Sequence, residues 1–131
     1  MNFSGTSTVT LTGTNTYTGT NTIASGSRLI AGSDGVLGSN PTIITNGGYF
    51  GTSSGVQLPS LNISGGTVKL TSDISTIGSQ TYDDIVLAKS NTANTLALST
   101  DNANITINGT INDSADKVSS LRSEEHTSEL Q

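Results

Sequence analysis

The fold is decided by two matching stretches, Ile43-Ile44-Thr45-Asn46-Gly47-Gly48-Tyr49-Phe50 and Leu61-Asn62-Ile63-Ser64-Gly65-Gly66-Thr67-Val68. Each stretch contains a short strand, a Gly-Gly corner and a second short strand, and Leu61 stands in the second where Ile43 stands in the first. One such rung cannot bury its apolar side alone, so rungs with a period of about 20 residues stack in register and share a core. The two stretches therefore predict a β-solenoid.

Looser copies of the pattern lie on both sides of these stretches. Upstream, Ile23–Leu29 places Gly26 one such period before Gly47. Downstream, Ile105–Ile111 repeats the pattern two such periods after Leu61. We therefore predict an all-β fold of parallel rungs of about 18–22 residues. The aliphatic side chains expected inside are Ile43, Leu61, Ile63, Val68, Leu96, Ile105 and Ile107.

Composition narrows the class of protein. The chain has 131 residues, enough for one domain, and it is dominated by 22 Thr, 20 Ser, 15 Gly and 12 Asn. Without Cys it forms no disulfide or thiolate metal site. No apolar run is long enough to span a bilayer, and the basic residues are scattered singly, which argues against a nucleic-acid partner. The start of the chain contains no signal peptide, so we interpret the sequence as a fragment of a longer protein.

The last ten residues differ in kind from the rest. The segment 122–131, RSEEHTSELQ, holds all three Glu and the single His of the chain. It also resembles the in-frame translation of a common sequencing-library adapter. We therefore predict a solenoid domain over residues 1–121, followed by an artefactual tail over 122–131 that is unstructured or a short helix and contributes nothing to the core.

A family resemblance appears near the start. Leu11–Ile23, LTGTNTYTGTNTI, followed by Ser25-Gly26-Ser27-Arg28-Leu29, resembles the passenger-associated β-helix repeat of autotransporters. Further on, Gly78–Leu87 and Asn104–Ile111 are similar to rungs of filamentous-haemagglutinin-like adhesins. The resemblance implies a right-handed parallel β-helix, exported to the cell surface or secreted through a Gram-negative outer membrane.

The same resemblance implies a function as a structural or adhesive stalk segment without enzyme activity. Its expected partners are host-surface or glycan ligands and the neighbouring rungs of the parent chain, with no membrane insertion by this segment. The alternative is a carbohydrate-active β-helix enzyme of the polysaccharide-lyase kind. Such an enzyme needs Asp clustered with Lys or Arg to hold calcium and abstract a proton.

Three groups of residues were considered as sites. Asp83-Asp84 is the one paired carboxylate before residue 122, with Lys89 nearby in sequence and Lys69 expected one rung away. We interpret the pair as part of a solvated turn, because adjacent strand residues point to opposite faces.

Threonine fills every even position from Thr6 to Thr22, as in ice-binding solenoids. Later rungs lack such a row, so we predict an ordinary solvated strand face.

Tyrosine is the third group. Tyr17, Tyr49 and Tyr82 have rings that stack on sugars in other proteins, although singly spaced tyrosines more often cap a coil. We therefore predict no catalytic, cofactor-binding or metal site and no cofactor.

Overall fold

The computed structural model describes residues 2–6, 8–16, 19–39, 41–88, 95–113 and 120–124. None of these residues is helical. The strands in the described part are β1 (Asn2–Phe3), β2 (Thr8–Leu11), β3 (Asn21–Ile23), β4 (Arg28–Ala31), β5 (Thr42–Thr45), β6 (Gly48–Thr52), β7 (Gln57–Leu58), β8 (Leu61–Leu70), β9 (Ile74–Thr76), β10 (Gln80–Leu87), β11 (Thr95–Thr100), β12 (Ile105–Ile107), β13 (Ile111–Asp113) and β14 (Ser120–Glu124).

Every strand pair in the described part is parallel, and the strands stack in three columns. The first column runs β1, β3, β5, β8, β10 and β12, and the second runs β2, β4, β6, the end of β8, the end of β10 and β13. The third contains β7, β9, β11 and β14. Parallel stacked rungs without a hairpin confirm the predicted β-solenoid.

Rung length changes along the chain. From β2 to β8 the partners in the second column follow one another at the predicted spacing, and from β8 to β10 the spacing is shorter. From β10 onward the rungs exceed the predicted length, since Ile85 pairs with Ile111 and Gln80 pairs with Ile105. These last rungs are longer because the connections between their strands are longer, while the strands themselves keep their register.

The two matching stretches are offset from their sequence alignment. Ile43 pairs with Ile63 rather than with Leu61, and Gly48 pairs with Val68 rather than with Gly66. A slip of two positions preserves the alternation of strand side chains, so the same residues stay inside. Leu61 and Ile105 do lie in one column two rungs apart, as predicted, because both pair with Gln80.

The core consists of side-chain columns that run along the axis. Phe50 stacks between Leu29 of the preceding rung and Leu70 of the following rung, and all three are buried. Burial on this scale contributes about 1.5–3 kcal/mol for each large apolar side chain. The seven residues predicted to point inward are all buried, which confirms their assignment: Ile43, Leu61, Ile63, Val68, Leu96, Ile105 and Ile107.

Short polar side chains extend the hydrogen bonding between rungs through the corners. The hydroxyl groups of Ser27, Ser33 and Thr45 donate to carbonyl oxygens of the preceding rung, at distances of 2.6, 2.7 and 2.7 Å. At a corner the backbone groups turn away from the strand ladder and need other partners. Serine and threonine supply such partners from short side chains, and Asn15 does so through its Nδ2 atom, which donates to the carbonyl oxygen of Val36.

Strand β14 crosses the predicted end of the domain. Its residues Ser120–Glu124 pair in parallel with Thr95–Ser99 of β11. The strand therefore includes Arg122, Ser123 and Glu124, the first three residues of the tail predicted at 122–131. Residues 125–131 lie outside the described part of the chain, so the predicted boundary at Leu121 stays a prediction.

Candidate functional site

The two adjacent carboxylates brace the corners of the rungs on either side of them. Oδ2 of Asp83 accepts a 3.0 Å hydrogen bond from the amide of Gly65 in the preceding rung. Oδ1 of Asp84 accepts a 2.8 Å hydrogen bond from the amide of Thr110 in the following rung. The register of β10 shifts between Tyr82 and Asp84, and this irregularity marks the corner. Both carboxylates therefore have structural partners on backbone amides.

The basic residues considered as partners for these carboxylates are placed elsewhere. The ammonium group of Lys69 lies 4.9 Å from the centre of the Tyr49 ring, on the outer face of β8. Among the described residues no ion pair joins Lys69 to Asp83 or Asp84. Lys89 lies outside the described residues. Among the described residues, Lys69 therefore does not pair with Asp83 or Asp84 in the arrangement of base and carboxylate that a polysaccharide lyase requires.

The threonine row does not continue from rung to rung. Thr8 and Thr10 are exposed on β2, but their register partners on β4 are Arg28 and Ile30. A flat array of hydroxyl and methyl groups needs the same residue type at the same point of successive rungs. The threonines thus recur at every second position along one strand, but they are not followed by threonine at the register partners on β4.

The tyrosines have different environments. Tyr82 is completely buried and its hydroxyl donates to Oε1 of Gln80 at 2.7 Å, so no ligand reaches it. Burial raises the pKa of Tyr82 far above its ordinary value. Tyr49 is partly exposed and contacts Arg28 and Lys69 through its ring. Tyr17 lies outside the described residues.

A groove lies beside the third strand column. Its volume is about 690 Å³, and its lining combines hydroxyl, amide and carboxylate side chains with apolar ones such as Val56 and Ile74. Oδ1 of Asp73 accepts a 2.9 Å hydrogen bond from the amide of Ala97 at this groove. Sequence reasoning missed the groove because its residues come from three different rungs. Representative lining residues are Thr52, Ser54, Gln57, Asp73, Ser75 and Ser99.

The described residues contain neither a metal-binding cluster nor a membrane-spanning helix. In that part of the chain no three His, Cys, Asp or Glu side chains come together as a set that could hold a metal ion. The same residues include no helix with the length and apolar character needed to cross a membrane.

The fold and its surfaces define a β-solenoid with a polar outside and an aliphatic inside. Comparison of the chain with models of protein families, with curated proteins and with solved structures returned no match.

Proposed function

We propose that this chain is a structural or adhesive stalk segment of a bacterial surface-exposed or secreted protein of the autotransporter type. The observation that supports the proposal is the continuous column architecture. Each rung adds one layer to a shared core, so the fold gains length without changing its cross-section. A protein built this way extends outward from a cell surface and presents side chains along its flanks.

The ends of the described solenoid agree with a role inside a longer stack. Val9 and Leu11 of β2, at one end, are only partly buried, and so is Ile111 of β13 at the other end. Within the described residues each of these strands has a hydrogen-bonded neighbour on one side alone. A further rung at either end would cover the remaining apolar surface and pair the free edge. We propose neighbouring rungs of the parent chain as that cover.

The charged side chains favour this proposal over the polysaccharide-lyase alternative. Asp83 and Asp84 accept hydrogen bonds from corner amides, and Lys69 lies over an aromatic ring. Each of these side chains thus has a partner that explains its position without catalysis. The proposal assigns the chain no chemical step, and its surface is available for binding along its length.

Surface labelling of cells tests the proposal. Antibodies raised against the purified 131-residue chain are expected to label intact cells of the source organism, and external protease is expected to remove the label. Antibodies to a cytoplasmic protein serve as the control and label only lysed cells. Labelling by the first antibodies that also requires lysis would contradict surface exposure and with it the stalk function.

A further inference from the structure

Two cations converge on one aromatic ring on the outer face of the solenoid. Arg28, Tyr49 and Lys69 are register partners on β4, β6 and β8. The guanidinium carbon of Arg28 lies 3.9 Å from the centre of the Tyr49 ring, and Nζ of Lys69 lies 4.9 Å from it. Both distances are within the range of a cation–π contact. These three residues are called the cationic column below.

The cationic column concentrates positive charge on an acidic protein. The chain has ten acidic and five basic residues, a net charge of −5. Within the described residues neither Arg28 nor Lys69 forms an ion pair with a carboxylate. Two like charges beside one ring repel each other, while the ring attracts each of them. An anion bound by both cations would relieve the repulsion.

The surroundings of the cationic column favour a linear polyanion. The next residues in register on either side are Thr8 and Val86, so no carboxylate interrupts this line. Successive rungs are about 4.8 Å apart, so the backbones of Arg28 and Lys69 are separated by about 10 Å along the axis. A chain that carries an anionic group on successive units can contact both cations while it lies along the rungs.

The chemistry of the side chains indicates which anions fit. Guanidinium groups bind carboxylates and sulfates through paired hydrogen bonds, and ammonium groups bind them as point charges. Because Arg28 and Lys69 cover the Tyr49 ring, this ring is not free as a platform for stacking neutral sugars. The column also has too few cations for the six to ten phosphate contacts typical of a nucleic-acid complex.

We propose that the cationic column binds an acidic polysaccharide through its carboxylate or sulfate groups. This inference rests on the proposed function, because it names the class of ligand that an adhesive solenoid would hold on its flank. A lipid surface is less suitable. The large apolar side chains exposed in the described part of the chain are Ile44 and Ile77, and neither belongs to the column or extends it.

Titration calorimetry with defined oligosaccharides tests the inference. The full chain is titrated with an oligogalacturonate, a heparin-derived oligosaccharide and a neutral malto-oligosaccharide of equal length. At least one acidic oligosaccharide is expected to bind, more weakly as salt is raised, and the neutral one is expected not to bind. The first two probes separate carboxylate from sulfate recognition. Equal binding of the neutral probe, or no binding of either acidic probe, would overturn the inference.

Paired variants separate a site from general charge. The double variant Arg28→Gln with Lys69→Gln is expected to weaken binding at least about tenfold, because two charge-assisted contacts are lost. The matched variant Lys89→Gln with Lys117→Gln removes the same charge and is expected to change affinity less than about twofold. Equal losses in the two variants would mean that net charge alone governs binding, and the site would be rejected.

Further measurements complete the test. The thermal unfolding midpoint of each variant establishes that it is folded.

The unchanged chain is also tested for binding to phosphatidylserine vesicles. Tighter binding to these vesicles than to either acidic oligosaccharide would identify a lipid surface as the ligand and overturn the inference. If the acidic probes bind but antibodies do not label cells, the stalk function fails while the site stands. If cells are labelled and no acidic probe binds, the polysaccharide site fails while the stalk function stands.

Discussion

The hydroxyl group of Tyr82 donates a 2.7 Å hydrogen bond to Oε1 of Gln80 in the interior of the solenoid. Both side chains are completely buried among aliphatic residues. Nε2 of Gln80 donates in turn to Oγ1 of Thr76 at 3.2 Å and to the carbonyl oxygen of Ser99 at 2.8 Å. This network links the first strand column to the third through the core.

Replacement of Gln80 tests the energetic weight of this network. In Gln80→Leu the Tyr82 hydroxyl and the Ser99 carbonyl each lose a buried partner, so we expect the free energy of unfolding to fall by about 2–4 kcal/mol. Urea unfolding measures the change. The control Tyr49→Phe removes a hydroxyl from a partly exposed ring and is expected to stay within about 0.5 kcal/mol. Equal effects of the two variants would show that the network is not stabilising.

Alkaline pH should weaken the fold through Tyr82. Burial raises the pKa of this phenol above its value of about 10 in the unfolded chain. The protonated phenol therefore makes its full contribution to the free energy of unfolding below about pH 10. Above that pH the unfolded chain releases the proton and the folded chain retains it, and stability falls by about 1.4 kcal/mol per pH unit. The slope is expected to decrease in Tyr82→Phe. An unchanged slope in urea unfolding at about pH 10–11 would contradict this assignment.

Gly48 is expected to be intolerant of any side chain. A Cβ at this position would collide with Oγ1 of Thr45 and with Cγ2 of Ile23, which are both buried. We expect Gly48→Ala to destabilise the fold by about 1–3 kcal/mol through overpacking. Gly19→Ala is the matched control, because nothing lies within 4 Å of the added Cβ and no positive φ is involved. A thermal midpoint unchanged in both variants would count against the predicted collision.

The corner role of Asp84 predicts a loss of stability on replacement. Asp84→Ala removes the acceptor for the amide and the hydroxyl of Thr110. A decrease of about 1–2 kcal/mol in unfolding free energy is expected, since these bonds are charge-assisted and exposed to solvent. Thr81→Ala, on the same strand with its side chain partly exposed, provides a comparison expected within about 0.5 kcal/mol. Polysaccharide cleavage by the unchanged chain, abolished in Asp84→Ala, would instead support the lyase alternative.

Truncation tests where the domain ends. A chain that ends at Glu124 is expected to keep the thermal midpoint of the full chain, because it retains every paired residue of β14. A chain that ends at Leu121 addresses the predicted boundary directly. An equal midpoint would support an end at Leu121, whereas a midpoint lower by several degrees would place the end of the domain at Glu124.

The sequence by itself determined the class of fold and the inward-facing positions of the strands that carry the seven predicted core residues. Alternation along stretches such as Leu61–Ile63 assigns every second residue to the core, and this assignment survives a slip of two positions. The recurrence of the Gly-containing corners indicated the stacking. For this reason Ile43 and Ile105 were assigned correctly to the interior, although the rung lengths differ from a uniform repeat.

Only the tertiary structure decided which residues meet across rungs. Pairing of Ile43 with Ile63, or of Arg28 with Tyr49, depends on the length of each connection, and corner lengths have no strong sequence signal. The cationic column and the Gln80–Tyr82 network both arise from contacts between rungs. Local pattern fixes the direction of a side chain because strand geometry repeats every two residues, but its neighbours are fixed by stacking, which depends on the whole chain between them.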